Sequence, residues 1–252
     1  MASNLGSVGL GIETEEDYRE LVDGALARVS EEIACPPGLY AVTCYDHGGE
    51  LWVHLATGDD GFVIDGVTPF HRTENVIPLR IDELGQHDDD NPFEGRCYAW
   101  VGNEDHPFSC ELVDYAVHAA TETPLQARLA VIGLAHSVTG FEDEAAFTAA
   151  QDGEMTFAPN FFIPTGLFAP EDDEAPTGSD RSMVWFAGTV RKIAEHRGRT
   201  AYRQISVESL AATYDVFAEA DIVTGPVVVG GIVEVSCRLF GRLLDSDAKG
   251  RA

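Results

Sequence analysis

Residues Thr123 to Phe141 read TPLQARLAVIGLAHSVTGF, the most apolar long run in the first 168 residues. Whether it is helix or strand decides the architecture. Thr123 and Gln126 have capping-box spacing, and Pro124 would suit a first helical position. Val131, Ile132 and Gly133 suit a buried strand equally well, and periodicity alone does not arbitrate for a continuous apolar run. We read a strand leaving its sheet at Thr139 or Gly140. A short helix follows on Glu142 to Gln151, where EDEAAFTAAQ has good helix propensity and acids in its first turn.

The segments before it read as a mixed sheet with a leading helix. Tyr18, Leu21, Val22, Ala25, Leu26 and Val29 recur at helical spacing, which predicts a helix over Glu15 to Ile33 with Thr14 as its N-cap. Cys35-Pro36-Pro37-Gly38 stops it. LYAVTCY and LWVHLA, joined by DHGGE, predict a hairpin. Short strands are expected near Phe62 to Val67 and Val76 to Ile81.

The chain has 252 residues and a formal charge of −27. That length buries a substantial core without disulfides or metals. Five cysteines, Cys35, Cys44, Cys97, Cys110 and Cys237, form an odd set without a CxxC pair, which predicts reduced, buried thiols. The N-terminus lacks the basic and apolar regions of a signal peptide, and no apolar run has the length of a membrane span. The expectation is a cytoplasmic protein that neither enters membranes nor, given its field, attracts phosphate.

Charge also divides the chain. Residues 1–180 hold 35 acids against 6 arginines, a net of −29, whereas residues 181–252 hold 8 acids against 10 bases, a net of +2. The shift falls at the Pro, Gly and acid-rich stretch Ala169 to Asp180, which has linker character. We therefore expect an acidic α+β domain over 1–168, a linker over 169–180 and a β-rich domain over 181–252.

In that last part, MVWFAGTVRKI (Met183 to Ile193), the turn EHRGR, AYRQISV (Ala201 to Val207) and TYDVFA (Thr213 to Ala218) read as three strands. GGIVEVSCRLFGRLL (Gly230 to Leu244) supplies two more, or one long strand that bends near Cys237. This order of strands and glycines resembles an OB-fold barrel of five strands. The resemblance covers about a quarter of the chain and carries no catalytic motif. It implies a ligand surface on the first turn, Arg191 to Arg203, and on the connection after Arg238. Arg191, Lys192, His196, Arg197, Arg199, Tyr202 and Arg203 are the candidate contact residues, with Tyr202 and Tyr214 as possible stacking rings for single-stranded nucleic acid. The low charge of +2 beside a domain of −29 makes nucleic acid a weak partner. The acidic domain itself is the better partner for these arginines, within the chain or in a second subunit. The whole chain also resembles a bacterial protein of this two-part layout, from which no activity carries over.

Linear motifs for catalysis, phosphate binding or zinc are absent. HDDDN at His87 to Asn91 lacks the alternation and central glycine of a calcium loop and reads as a solvated acidic loop. His106, Cys110, Asp114 and His118 fall four apart but drift around a helix and include Pro107, so no metal is assigned. GSVGLG at Gly6 to Gly11 has no preceding strand and is not a dinucleotide loop. His47 and His54 lie in the expected hairpin, where an ordinary sheet face outweighs a pocket. No catalytic residue and no cofactor are assigned. The reading is a non-catalytic binding protein for a protein or small ligand, with an enzyme using an interdomain pocket as the alternative.

FFIPTGLF, Phe161 to Phe168, is too apolar for a free loop and, with Pro164 and Gly166, poor as a strand. It reads as a latch between the domains, with Phe161, Phe162 and Ile163 against the first domain and Leu167 and Phe168 toward the barrel.

Overall fold

The computed structural model describes residues 4–87, 91–102, 106–151, 153, 156–168, 181–210 and 212–247. The Ala169–Asp180 linker, the side chain of Phe168 and residues 88–90 of the HDDDN run lie outside them.

Helix α1, Glu15–Leu26, begins as its sequence predicts, with Thr14 and Asp17 forming a reciprocal capping box. It ends earlier than its periodicity suggests. Residues Glu31–Cys35 form strand β1, which pairs with β2 (Gly38–Cys44) because its backbone groups find a ladder there. The expected hairpin joins β2 to β3 (Gly49–Gly58), and β4 (Gly61–His71) completes an antiparallel sheet in the order β1-β2-β3-β4.

The remaining strands form two closed rings. In the first, β5 (Val76–Gln86), β6 (Gly95–Val101) and β7 (His106–Leu112) run as a meander. After α2 (Tyr115–His118) comes β8, Leu125–Phe141, which settles TPLQARLAVIGLAHSVTGF as one strand of 17 residues. Helix α3 (Glu144–Ala149) follows it, and β9 is the two-residue strand Phe162–Ile163. A second meander, β10 (Met183–Arg197), β11 (Ala201–Glu208) and β12 (Thr213–Glu219), leads through the short β13 (Val223–Thr224) to β14 (Ile232–Asp247). GGIVEVSCRLFGRLL is thus a single strand, irregular in register between Ser236 and Cys237.

The long strands β8 and β14 pair antiparallel from Phe141 opposite Ile232 to Gln126 opposite Asp247 and belong to both rings. Strand β5 lies antiparallel to β8, and β7 lies parallel to β14, closing the ring β8-β5-β6-β7-β14. Correspondingly β10 lies antiparallel to β14, and β12 parallel to β8, closing β14-β10-β11-β12-β8. The two halves repeat one plan, and each lends its long strand to the other's ring. The expected OB-like barrel within residues 181–252 is not confirmed: the described residues of that range contribute four strands to the second ring, and β8 supplies the fifth. The hydrogen-bonded sheet crosses the charge boundary without a break.

Two glycines let the shared pair pass between the rings. Gly133 faces Leu239, and Gly241 faces Val131, in equivalent registers. A Cβ on Gly133 would stand 2.8 Å from Cys237 Sγ, and one on Gly241 2.9 Å from Cys110 Sγ.

From Leu129 to Ala135 strand β8 is buried on both faces, which is why that part of its sequence does not alternate. Leu129 and Val131 point into the ring interiors, whose apolar cluster runs on through Val216, Val235 and Leu239. Ala130, Ile132 and Leu134 face the four-stranded sheet, where they join Tyr40, Trp52 and Phe217 in a second cluster. A third, smaller cluster contains Phe147, Phe161, Ala187 and Ile232.

FFIPTGLF does make a strand, if a minimal one. Phe162 and Ile163 pair with Phe186 and Trp185 of β10 before Pro164 ends the ladder. Phe161 is buried against Phe157 and Trp185, and Phe162 stacks on Tyr214. The segment touches both sides of the charge boundary: Phe161 meets Phe157 as well as Trp185, and the turn that follows meets β10, where Thr165 Oγ1 donates to the Met183 carbonyl at 3.1 Å, while Leu167 lies beside Glu83 and Tyr98 of the first ring.

Candidate functional site

The stacking of the four-stranded sheet on the first ring leaves a cavity of about 130 Å³. Val67, Thr68 and Pro69 of β4 form one wall, and Glu111 and Leu112 of β7 with Arg238 and Phe240 of β14 form the other. His87, Glu94 and Gly95 close it. Strand alternation explains the chemistry of the ring wall: Cys110 and Leu112 enter the ring core, so Glu111 between them must point outward, toward the sheet stacked there. Gly95 is required at the rim, because a Cβ would come within 2.4 Å of the Tyr115 ring.

Glu111 is 7% exposed. Its Oε2 contacts Nε2 of His87, whose side chain is also buried, while its Oε1 has no hydrogen-bond partner among the described residues. A buried carboxylate oxygen left in that condition costs about 1–3 kcal/mol. The repeat supplies a control. Leu112 pairs with Gly241, and Val216 pairs with Gly133, so Glu111 and Asp215 occupy equivalent positions. Asp215 is equally buried, but Ser206 Oγ donates to its Oδ1 and Thr73 Oγ1 donates to its Oδ2 at 2.6 Å. One carboxylate is saturated by its own chain. The other faces a cavity.

Behind Thr68 lies His54, 3.0 Å from Thr68 Oγ1, stacked on Phe93 and 4.0 Å from Glu94. Burial pulls its pKa down to about 4, so it is neutral at physiological pH. Glu94 is half-exposed at the cavity mouth.

A second polar cluster lies where the β10–β11 hairpin meets the four-stranded sheet. Tyr202 Oη is 3.0 Å from both His47 Nδ1 and His71 Nε2 and 3.1 Å from the His47 carbonyl. His71 Nδ1 lies 2.7 Å from the Arg72 carbonyl, to which it donates, so its Nε2 can accept from the tyrosine. Burial lowers His71 to about 4 and pushes the Tyr202 hydroxyl well above its ordinary range. His196 stacks on Tyr202, and the N-terminal segment closes over the hairpin tip through Arg199 N–H to the Gly9 carbonyl at 2.8 Å. The cluster is a hydrogen-bonded joint between three parts of the chain.

The candidate contact residues therefore divide. His196 and Tyr202 belong to this joint. Arg191 forms a bidentate pair with Glu208, and Arg203 pairs with Glu195 across the hairpin. Arg199 reaches Asp17 at 3.4 Å and Glu20 at 3.9 Å on α1, so its partner is the acidic part of the same chain. Lys192 and Arg197 are exposed. Neither proposed stacking ring can meet a base: Tyr202 is 1% and Tyr214 2% exposed, since both alternate inward on their strands.

The four-spaced His106, Cys110, Asp114 and His118 do not gather. Strand β7 sends Cys110 into the first ring, 3.4 Å from Cys97 Sγ, while Asp114 accepts from Leu243 N–H at 3.2 Å and meets His118 at 3.3 Å. Sequence reasoning placed His87 in a solvated acidic loop, used Arg238 only to mark a connection, and passed over Glu94 and Glu111, because the four come from separate strands and loops and make no linear motif. The one available signal was a lone acid, Glu111, inside the apolar strand PFSCEL.

Comparisons of the chain with protein-family models, with curated proteins and with solved structures each returned no match.

Proposed function

We propose that the chain is a non-catalytic binding protein whose ligand is a small neutral or cationic molecule rich in hydrogen-bond donors, held in the cavity beside Glu111. The observation that carries this reading is the unpartnered, buried Oε1 of Glu111, set against the fully satisfied Asp215 at the equivalent position. A carboxylate in that state favours an N–H or O–H donor. The net charge of −27 raises the local concentration of cations and repels anions. Cavities of roughly 150 Å³ admit a molecule of benzene size, so the space fits a small amine, amidine or polyol and excludes a nucleotide.

The contact between His87 and Glu111 favours one second reading, an enzyme using that pair for acid–base chemistry on the same small molecule. Turnover of the bound compound separates the two. The expected test is calorimetric titration with ethanolamine, guanidinium, glycerol and acetate. A donor-bearing compound binds saturably and acetate does not, and Glu111→Gln weakens binding at least about tenfold while the variant stays folded by thermal melting. Failure of all the donors to bind, or binding unchanged in Glu111→Gln, defeats the proposal.

A further inference from the structure

The four-stranded sheet has two outer edges, and the sequence treats them differently. Strand β1 presents Glu31 and Glu32, both exposed, which is the usual protection of an edge against further pairing. Strand β4 carries no charged side chain along residues 61–64, and its first charge, Asp65, falls where the register with β3 shifts. It pairs there only with β3, from Gly61 opposite Gly58 to Ile64 opposite Leu55, and no other described strand lies along its outer side. Three consecutive large apolar side chains stand in this segment: Phe62 is 58% exposed, Val63 60% and Ile64 45%. They fall on both faces of the strand, Phe62 and Ile64 on one and Val63 on the other. Isolated exposed apolar residues are ordinary, but a contiguous trio on an open backbone edge carries both parts of a strand-addition site, main-chain groups for affinity and side chains for specificity.

Charge selects the occupant. Asp59 and Asp60 form the turn before the trio, and Asp65 ends it. A second copy pairing antiparallel on the same edge would bring two such sets of carboxylates together, on chains that each carry −27. A segment with lysine or arginine between apolar residues meets the aspartates with its charges and the trio with its apolar side chains.

We propose that residues 61–65 of β4 are a docking edge for an extended, basic and apolar segment of a partner protein, which adds as a fifth strand to the sheet. The site is separate from the cavity and does not depend on its ligand. The probe is a synthetic peptide alternating valine and lysine, with a valine–glutamate peptide as control, added to the full chain and followed by amide hydrogen exchange. The expected result is saturable binding of the lysine peptide, at least about tenfold slower exchange within residues 61–65, and no effect of the control. Phe62→Lys with Ile64→Lys, which alters exposed positions and leaves the melting temperature in place, reduces that binding at least about tenfold. Three outcomes overturn the proposal: peptide binding without protection of β4, binding unaffected by the double substitution, or protection of β4 that instead follows protein concentration together with dimer mass, which assigns the edge to a second copy.

Discussion

Gly133→Ala tests the packing that lets two rings share one pair of strands. The backbone there lies outside the left-handed region, so alanine is conformationally allowed and the effect isolates the lost space. The new methyl would sit 2.8 Å from Cys237 Sγ, 3.5 Å from its Cβ and 3.7 Å from Val216 Cγ2. Overpacking of that kind costs about 1–3 kcal/mol, offset by about 0.4–1 kcal/mol from the reduced freedom of the unfolded chain. A net loss of roughly 1–2 kcal/mol follows. Cys237→Ala removes the sulfur that the methyl strikes and by itself costs about 1 kcal/mol for the space it leaves. In the double variant the methyl occupies part of that space. The two losses should then fall short of adding by about 1 kcal/mol. Urea denaturation followed by circular dichroism measures all four proteins, with unchanged slopes as the condition for comparing midpoints. A Gly133→Ala variant as stable as the parent, or a strictly additive pair, refutes the close approach.

His54 and His71 both have pKa values drawn down to about 4 by burial. Each binds its proton more readily in the unfolded chain, so its contribution is full above the ordinary histidine value and falls as pH drops from about 6.5 toward 4. At pH 5 each should cost about 2 kcal/mol relative to pH 7.5; His71→Phe should flatten the urea-midpoint profile over that window, and an unchanged profile refutes the assignment. Phe161→Ala should lose about 3–5 kcal/mol by cavity formation in the Phe157–Trp185 cluster, as read by denaturant midpoint. A loss below about 1 kcal/mol would place that ring at the surface.

Local sequence signals located most of the strands because those signals are physical and short-ranged. Thr14 marked the N-cap of α1, and DHGGE turned a hairpin. The run VIGLA could not declare itself by period because that part of β8 has no solvent face. The repeat of strand order was hidden for a related reason. The two meanders share strand connections and the paired glycines Gly133 and Gly241, but little else in sequence, since each ring interior is filled by different side chains, Cys110 in one and Tyr214 in the other. The charge shift near residue 180 suggested a domain boundary, yet net charge reports the exposed surface and says nothing of which buried backbones pair. The candidate site was hidden for the same reason. Glu111, His87 and Arg238 meet only because β14 returns to lie parallel to β7.

A ligand seated in the Glu111 cavity would perturb the backbone that lines it. Backbone-assigned amide spectra of the full chain, titrated with the tightest-binding donor of the panel, read that perturbation residue by residue. Saturating shifts are expected at Thr68, Gly95, Glu111, Leu112 and Phe240, and they disappear in Glu111→Gln. Shifts centred on the hairpin from Arg191 to Arg203, or a spectrum that does not move at saturating ligand, would contradict binding in that cavity.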